Sequence, residues 1–367
     1  MKTQTTGYDS FYGDYLYERI VPKGHFLRHL RELVPWQRYT YRLLKYYRGK
    51  GEKGRPPVDP AVVLKMLLLS YLYDLSERTV AEYCADNLAA KYFLGLAIDA
   101  PVPDHSTLSV FKKRILDNGK VAAYQRLLEH IIADAQEAGI TFGSLQVIDS
   151  THSIADVNVA KDDQRQEDDE EPRDPDSRWG CKGSYTVTDE EGEKHRHQKL
   201  FYGFKMHTSL NVAAQMITSV ITSSGNQYDG HYLTELIASD LQQGLPVAVC
   251  AADRGYDDTH NHVWLQQRGV GNAIHLNRYR THKKDGNRAV WLELIAQPWY
   301  QEALKLRYQI ERKFGEAKKH HGLGRCRYVG GEGYAIQAHL TAIALNLKQL
   351  VSSLTGVSLR GPILRST

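Results

Sequence analysis

The chain has 367 residues, more than one hydrophobic core usually organises, so two or three domains or one elaborated domain are expected. Charged residues make up 25% and hydrophobic ones 42%, as in a soluble globular protein. The longest apolar run, "VVLKMLLLSYLY", is too short and interrupted to span a bilayer, and the opening "MKTQTTGYDS" has no apolar leader core, so a cytoplasmic protein is expected.

The net charge of +4 is unevenly spread. Residues 18 to 55 hold eleven Lys/Arg against three acids, with Tyr39, Tyr41, Tyr46 and Tyr47 interleaved. Residues 268 to 367 hold seventeen Lys/Arg against six acids, and "KDDQRQEDDEEPRDPD" at 161–176 holds nine acids against three bases. Basic stretches at both ends predict a polyanion partner, and the tyrosines favour nucleic acid. Each stretch alone also fits a solvated surface.

In chain order, residues 1–55 read as a basic, Tyr-rich segment and 56–140 as a helical domain. Asp59-Pro60 is an N-cap followed by an N1 proline, Ser76 caps "ERTVAEYCADN" with Asn87 as its stop, and Ser106 is expected to cap a third helix. That helix carries a basic patch, Lys112, Lys113 and Arg114. A helix-turn-helix unit and an ordinary three-helix bundle fit these features equally.

From residue 144 the period changes to that of strands. "SLQVIDS" is a short strand ending in Asp149; "KLFYGFKMHTSLNV" and "QMITSVITSSG" are β-rich with a turn at Ala213 to Gln215. A helix from about Tyr232 to Gln242, the strand "PVAVCAADRGY" ending in Asp253, the strand "GNAIHLN" and a charged helix follow. This pattern predicts an α/β domain over 141–352: a mixed sheet with helices on both faces, a mobile acidic insertion at about 161–198, a small insertion at about 277–300 and a tail at 353–367. Four scattered cysteines without a C-x-x-C pair read as idle thiols; Cys181, His195 and His197 lack a fourth metal ligand.

Two strand-end carboxylates, Asp149 and Asp253, share the sheet edge where ligands gather if their strands are neighbours. The helix "LRYQIERKFGEAKKHHG" places Arg307, Glu311 and Lys318 on one face by their spacing of four and seven residues. Two readings stand: a surface ion-pair ladder, or a face turned to a metal and a phosphate. Three gathered carboxylates repel one another unless hard cations such as Mg²⁺ or Mn²⁺ neutralise them, and a pair of such ions supports in-line displacement at phosphorus.

"VIDST", "AADRGYDD" and "LRYQIERKFGEAKKHHGLGRCRY" resemble the three catalytic blocks of bacterial insertion-sequence transposases of the DDE type, in the branch with a Y-x2-R-x3-E-x6-K signature. "PDHSTLSVFKKRI", "DPDSRWGCKG", "SSGNQYDG" and "IQAHLTAIALNLKQLV" resemble other segments of that family, so the likeness covers most of residues 20 to 352. The position of the signature tyrosine holds Leu304.

The resemblance implies a ribonuclease H-like sheet preceded by a helical DNA-binding domain that uses Lys112, Lys113 and Arg114. It implies Asp149, Asp253 and Glu311 as ligands of two Mg²⁺ ions (Mn²⁺ substituting), and Arg307 and Lys318 as DNA contacts. The implied partners are double-stranded DNA (terminal inverted repeats and target), no membrane, and a second copy in a homodimeric DNA complex, with the protein nucleoid-associated when bound. The implied activity is cleavage at element ends and joining of the 3′-hydroxyl to target DNA. A hydrolysis-only nuclease and a DNA-binding protein without chemistry are the alternatives. Gly255 is expected to allow a sharp turn, and Tyr256 and Trp179 are expected to pack in the core rather than stack on a base.

Overall fold

The computed structural model describes residues 11–47, 57–168, 170–189, 192–277 and 293–359. The chain divides into two compact units: residues 1–140 with 343–367, and residues 141–342.

The first unit is helical: α1 Phe11–Ile20, α2 Phe26–Leu33, α3 Trp36–Leu44, α4 Pro60–Leu72, α5 Glu77–Asp86, α6 Leu88–Leu94, α7 His105–Gly119 and α8 Ala122–Glu137. Asp59 caps α4 by accepting from the Ala61 amide, with Pro60 at the first helical position. All thirteen residues of α4 are buried, as suits a helix apolar all round that packs against α3, α5, α6 and α7.

Asn87 both ends α5 and caps α6, its Oδ1 accepting from the Ala90 amide at 2.9 Å, so four helices, α4 to α7, stand between residues 58 and 119 where three were expected. The cap of α7 is Asp104 rather than Ser106, because the Asp104 carboxylate takes the Ser106 amide at 2.7 Å. The tyrosines of the basic segment also depart from expectation. Tyr39, Tyr46 and Tyr47 are buried and only Tyr41 is exposed, so three of the four pack the core instead of facing a polyanion.

The second unit is α/β. Its elements are β1 Leu145–Ile154, α9 Val159–Glu167, β2 Arg178–Thr188, β3 Lys194–Asn211, β4 Met216–Ser224, α10 Leu233–Gln242, β5 Val249–Ala252, α11 Thr259–Gln267, β6 Gly271–Ile274, α12 Pro298–Leu306, α13 Tyr308–His320 and α14 Gly331–Thr355; the division between units falls within α14. β3 pairs antiparallel with β4 and β1, while β1, β5 and β6 run parallel. β2 pairs antiparallel with the first half of β3, residues 194–203, and makes the sheet six-stranded. The order β4-β3-β1-β5-β6 that remains, three antiparallel strands continued by two parallel ones, is the ribonuclease H-like sheet.

One face is covered by α10 and α11 through Leu233, Leu236, Ile237 and Leu265 against Ile148, Cys250 and Ile274. α13 packs on β1, and α12 packs on β5 and β6. In the expected turn at Ala213 to Gln215, Gln215 takes positive φ (57°) and its amide donates to Asn211 O.

The acidic stretch is more ordered than a mobile insertion. α9 forms there, and two of its acids turn inward to satisfy backbone amides. Asp162 accepts from the Arg173 amide, and Asp174 accepts from the Asp176, Ser177 and Gly330 amides, each at 3.1 Å. Residues 178–188 and 194–198, expected within the same insertion, are strand. Most of the small insertion at 277–300 lies outside the described residues; its end opens α12.

Candidate active site

Parallel pairing of β1 with β5 aligns Ile148 with Ala252, so Asp149 and Asp253 come next along neighbouring strands. Asp253 follows the end of β5 as expected, whereas β1 does not end at Asp149: antiparallel pairing with β3 carries it on to Ile154, and Asp149 lies mid-strand opposite Thr208. The Ser150 amide donates to Asp149 Oδ1 at 2.8 Å, and the Gly255 amide donates to Asp253 Oδ1 at 2.8 Å. Asp253 thereby caps a single 3-10 turn, Arg254–Tyr256. Gly255 has no left-handed φ, so its value is space: a Cβ there would stand 3.0 Å from Asp253 Oδ1.

The charged helix is broken where the sequence suggested continuity. α12 ends at Leu306, α13 starts at Tyr308, and Arg307 is the joint. From that joint Arg307 Nη1 lies 3.3 Å from Asp149 Oδ2 and Nη2 lies 2.7 Å from Glu311 Oε1. An i,i+4 ion pair does exist, but the same guanidinium also ties α13 to the Asp149 carboxylate on β1. Lys318 stands outside that pair: burial, with Lys182 nearby, holds its ammonium below the ordinary lysine value.

Burial pushes the Asp149 carboxyl up to about 7, and the neighbouring Asp253 adds to the rise. The Ser150 amide and Arg307 oppose it. Loss of solvent is thus the main reason the carboxyl holds its proton, and a neighbouring carboxylate reinforces it. The three carboxylates are not all within 4.8 Å of one another. Their donor set is oxygen only, and with a buried carboxylate in need of positive charge it fits a hard divalent ion rather than a soft one.

Beside the carboxylates, His152 on β1 lies 3.4 Å (Nε2) from Lys182 Nζ. Burial, then Lys318, Lys182 and Lys205, press its imidazole down to about 4, so it is neutral near pH 7. Neither residue stood out in the sequence, because Lys182 enters only through a strand pairing that local periodicity does not reveal.

The remaining expectations divide. Lys112 is buried and ion-paired with Glu77, which removes it from the free surface cations expected on α7. Lys113 is exposed, and the Arg114 guanidinium lies 4.2 Å over the Tyr47 ring. Tyr256 is buried as expected, whereas Trp179 is 47% exposed. Cys181 does not join His195 and His197: its thiol bonds Gly183 O, His195 bonds Asp189 and His197 stacks on Tyr185.

Residues 129–347 match the family model described as Transposase DDE domain. The chain belongs to that family. It is a DDE-type transposase of the insertion-sequence class, an enzyme class that depends on divalent metal. A second model, Transposase domain (DUF772), matches residues 15–114 of the transposase. Among solved structures, the piggyBac transposase synaptic complex with hairpin DNA is similar at 10% identity over 91% of this chain and 79% of that one, with a TM-score of 0.33. The Mos1 mariner paired-end complex with Mn shares 12% identity over 94% and 93%, with a TM-score of 0.22. Likeness at that level assigns no residue and no activity.

Proposed function

We propose that the transposase binds the double-stranded terminal inverted repeats of its insertion sequence, cuts there to leave a 3′-hydroxyl and joins that hydroxyl to target DNA. Asp149, Asp253 and Glu311 would hold two Mg²⁺ ions, with Mn²⁺ able to substitute. Such ions supply charge stabilisation for the entering and leaving oxygens of an in-line displacement at phosphorus. The observation that carries the reading is the Arg307 bridge from Glu311 to Asp149, with Asp253 next along the neighbouring strand.

The chain's own groups divide the work. The carboxylates provide negative charge at a fixed place on the sheet. Arg307 holds Glu311 toward Asp149, and its guanidinium suits phosphate oxygens by the same fork geometry. Lys318, with no carboxylate within 4 Å among the described residues, would hold a backbone phosphate. Lys113 and Arg114 on α7 belong to the end-binding region, residues 56–140, and 141–352 form the catalytic domain. The working DNA complex is a homodimer in the cytoplasm, on the nucleoid when bound; among the described residues no helix is long and apolar enough to cross a membrane.

The test is a labelled element-end duplex incubated with the protein and Mg²⁺, Mn²⁺ or excess EDTA. Metal-dependent nicking followed by a joined product is expected. Nicking without joining would make the protein a nuclease, and undiminished cutting in EDTA would remove the metal reading.

A further inference from the structure

Beyond Gly203, β3 leaves the sheet. Apart from the Tyr202 carbonyl, which accepts from the Ala155 amide at 2.9 Å, residues 194–202 pair with β2, forming a two-stranded ribbon past the ends of β1 and β4. A Cβ at Gly203, where φ is +155°, would collide with the Ser153 carbonyl, so the point where the ribbon departs requires glycine. Phe201 and Tyr202 at its base are buried, and beyond them the ribbon is uncovered: within β2 only Gly180 is buried, and residues 194–200 are all exposed. An isolated two-stranded ribbon is marginal in water, yet this one leaves Trp179, Tyr185, Val187 and Leu200 between 43% and 51% exposed.

Its charges are sorted. The strand segments 178–188 and 194–200 carry Arg178, Lys182, Lys194, Arg196 and Lys199 and no acid, whereas the connecting residues 189–193 hold four acids. In that connection Asp189 accepts from the Glu193 amide at 2.8 Å and bonds the His195 ring at 2.6 Å, a network that closes the turn. At the other end a bulge between Cys181 and Ser184 sets Lys182 beside His152, three residues along β1 from Asp149. Among the described residues neither Lys182 nor Lys318 has a carboxylate within 4 Å, so two cations converge at the site's border without a counter-charge.

We infer that the β2–β3 ribbon is a DNA-gripping arm that lies along a groove of the duplex leading into the carboxylate site, with Lys182 a phosphate-positioning residue and Trp179 and Tyr185 packing on sugar or base. A two-stranded ribbon fits the width of the major groove, and mixed cationic and aromatic side chains suit backbone tracking. The assignment rests on the DNA reading above and adds to it a surface outside the α7 region.

Full-length protein and the triple variant Lys182→Ala, Arg196→Ala, Lys199→Ala would be titrated with an element-end duplex by fluorescence anisotropy across a salt series. The variant is expected to bind tens-fold more weakly, with the slope of log K against log salt shallower by about two to three, since each phosphate left unneutralised removes about one from the slope. The matching Lys→Arg substitutions at 182 and 199 should keep the wild-type slope. Equal affinity and slope in the Ala variant would overturn the arm, whereas a wild-type chain that fails to bind the duplex would overturn the DNA reading itself. As a second measurement on unaltered protein, duplex DNA should slow tryptic cleavage after Lys194, Arg196 and Lys199. Cleavage unslowed by DNA, or slowed only by raising protein concentration, would assign the ribbon elsewhere and overturn the proposal.

Discussion

Arg307 reaches Asp149 across 158 residues of chain, its Nη1 3.3 Å from Oδ2, while its other terminal nitrogen holds Glu311 at 2.7 Å. One guanidinium therefore stands between a strand carboxylate and a helix carboxylate that an ion is proposed to share. Arg307→Ala should lower element-end cutting about 10- to 100-fold while gel-shift affinity changes little, because positioning is lost and the ligands remain. Without metal the variant should also melt below wild type at about pH 8, where the carboxylates repel unscreened, and added Mg²⁺ should narrow that gap. A melt and a cutting assay run side by side read both effects.

The raised Asp149 carboxyl sets a pH dependence. The folded protein keeps its proton up to about 7, while an unfolded aspartate releases it near about 4. Between those values the native state holds the extra proton, so metal-free stability should fall as pH rises through the window and level off above it. Asp149→Asn removes the ionisation: relative to wild type its Tm should climb between about pH 5 and pH 8. Stabilisation by Mg²⁺ should be greater at the upper pH for wild type and lost in the variant. Melting curves at both pH values, with and without Mg²⁺, are the measurement.

Gly255 guards Asp253 by having no side chain. A methyl group at that position would press on Asp253 Oδ1 from 3.0 Å. Gly255→Ala should therefore lower cutting at least about tenfold with a Tm shift of only a few degrees, since the crowding is confined to one carboxylate. Activity near wild type would show that the carboxylate has room to yield.

On α7 two adjacent lysines should separate by mechanism. Lys112→Ala breaks a buried ion pair with Glu77 and should destabilise the fold by about 1–3 kcal/mol in a denaturant titration. Lys113→Ala should leave stability within about 0.5 kcal/mol and weaken duplex binding in a salt-dependent way.

Much of the site was legible because its residues sit where local rules are strong. Asp149 and Asp253 each follow a short apolar run, and Glu311 follows Arg307 by one helical turn. The joint at Arg307 was not legible, since a run of good helix formers gives no sign that two helices meet there. Lys112 looked like a surface cation because sequence shows a charge without its partner, and Glu77 lies 35 residues away. The tyrosines of the basic segment misled for the opposite reason: spacing cannot tell an exposed ring from a buried one. The β2–β3 ribbon was hidden by composition, as strands exposed on both faces have no apolar alternation to betray them.

Metal-dependent cutting as proposed requires that Glu311 belong to the metal site and not to a surface ladder. Glu311→Gln, assayed with Mg²⁺ on a labelled element end beside a gel-shift and a thermal melt, tests it most directly. Cutting and joining should fall on the order of 10³-fold or more, with duplex binding and Tm retained. Cutting at the wild-type rate would contradict it and leave Arg307 and Glu311 an ordinary ion pair.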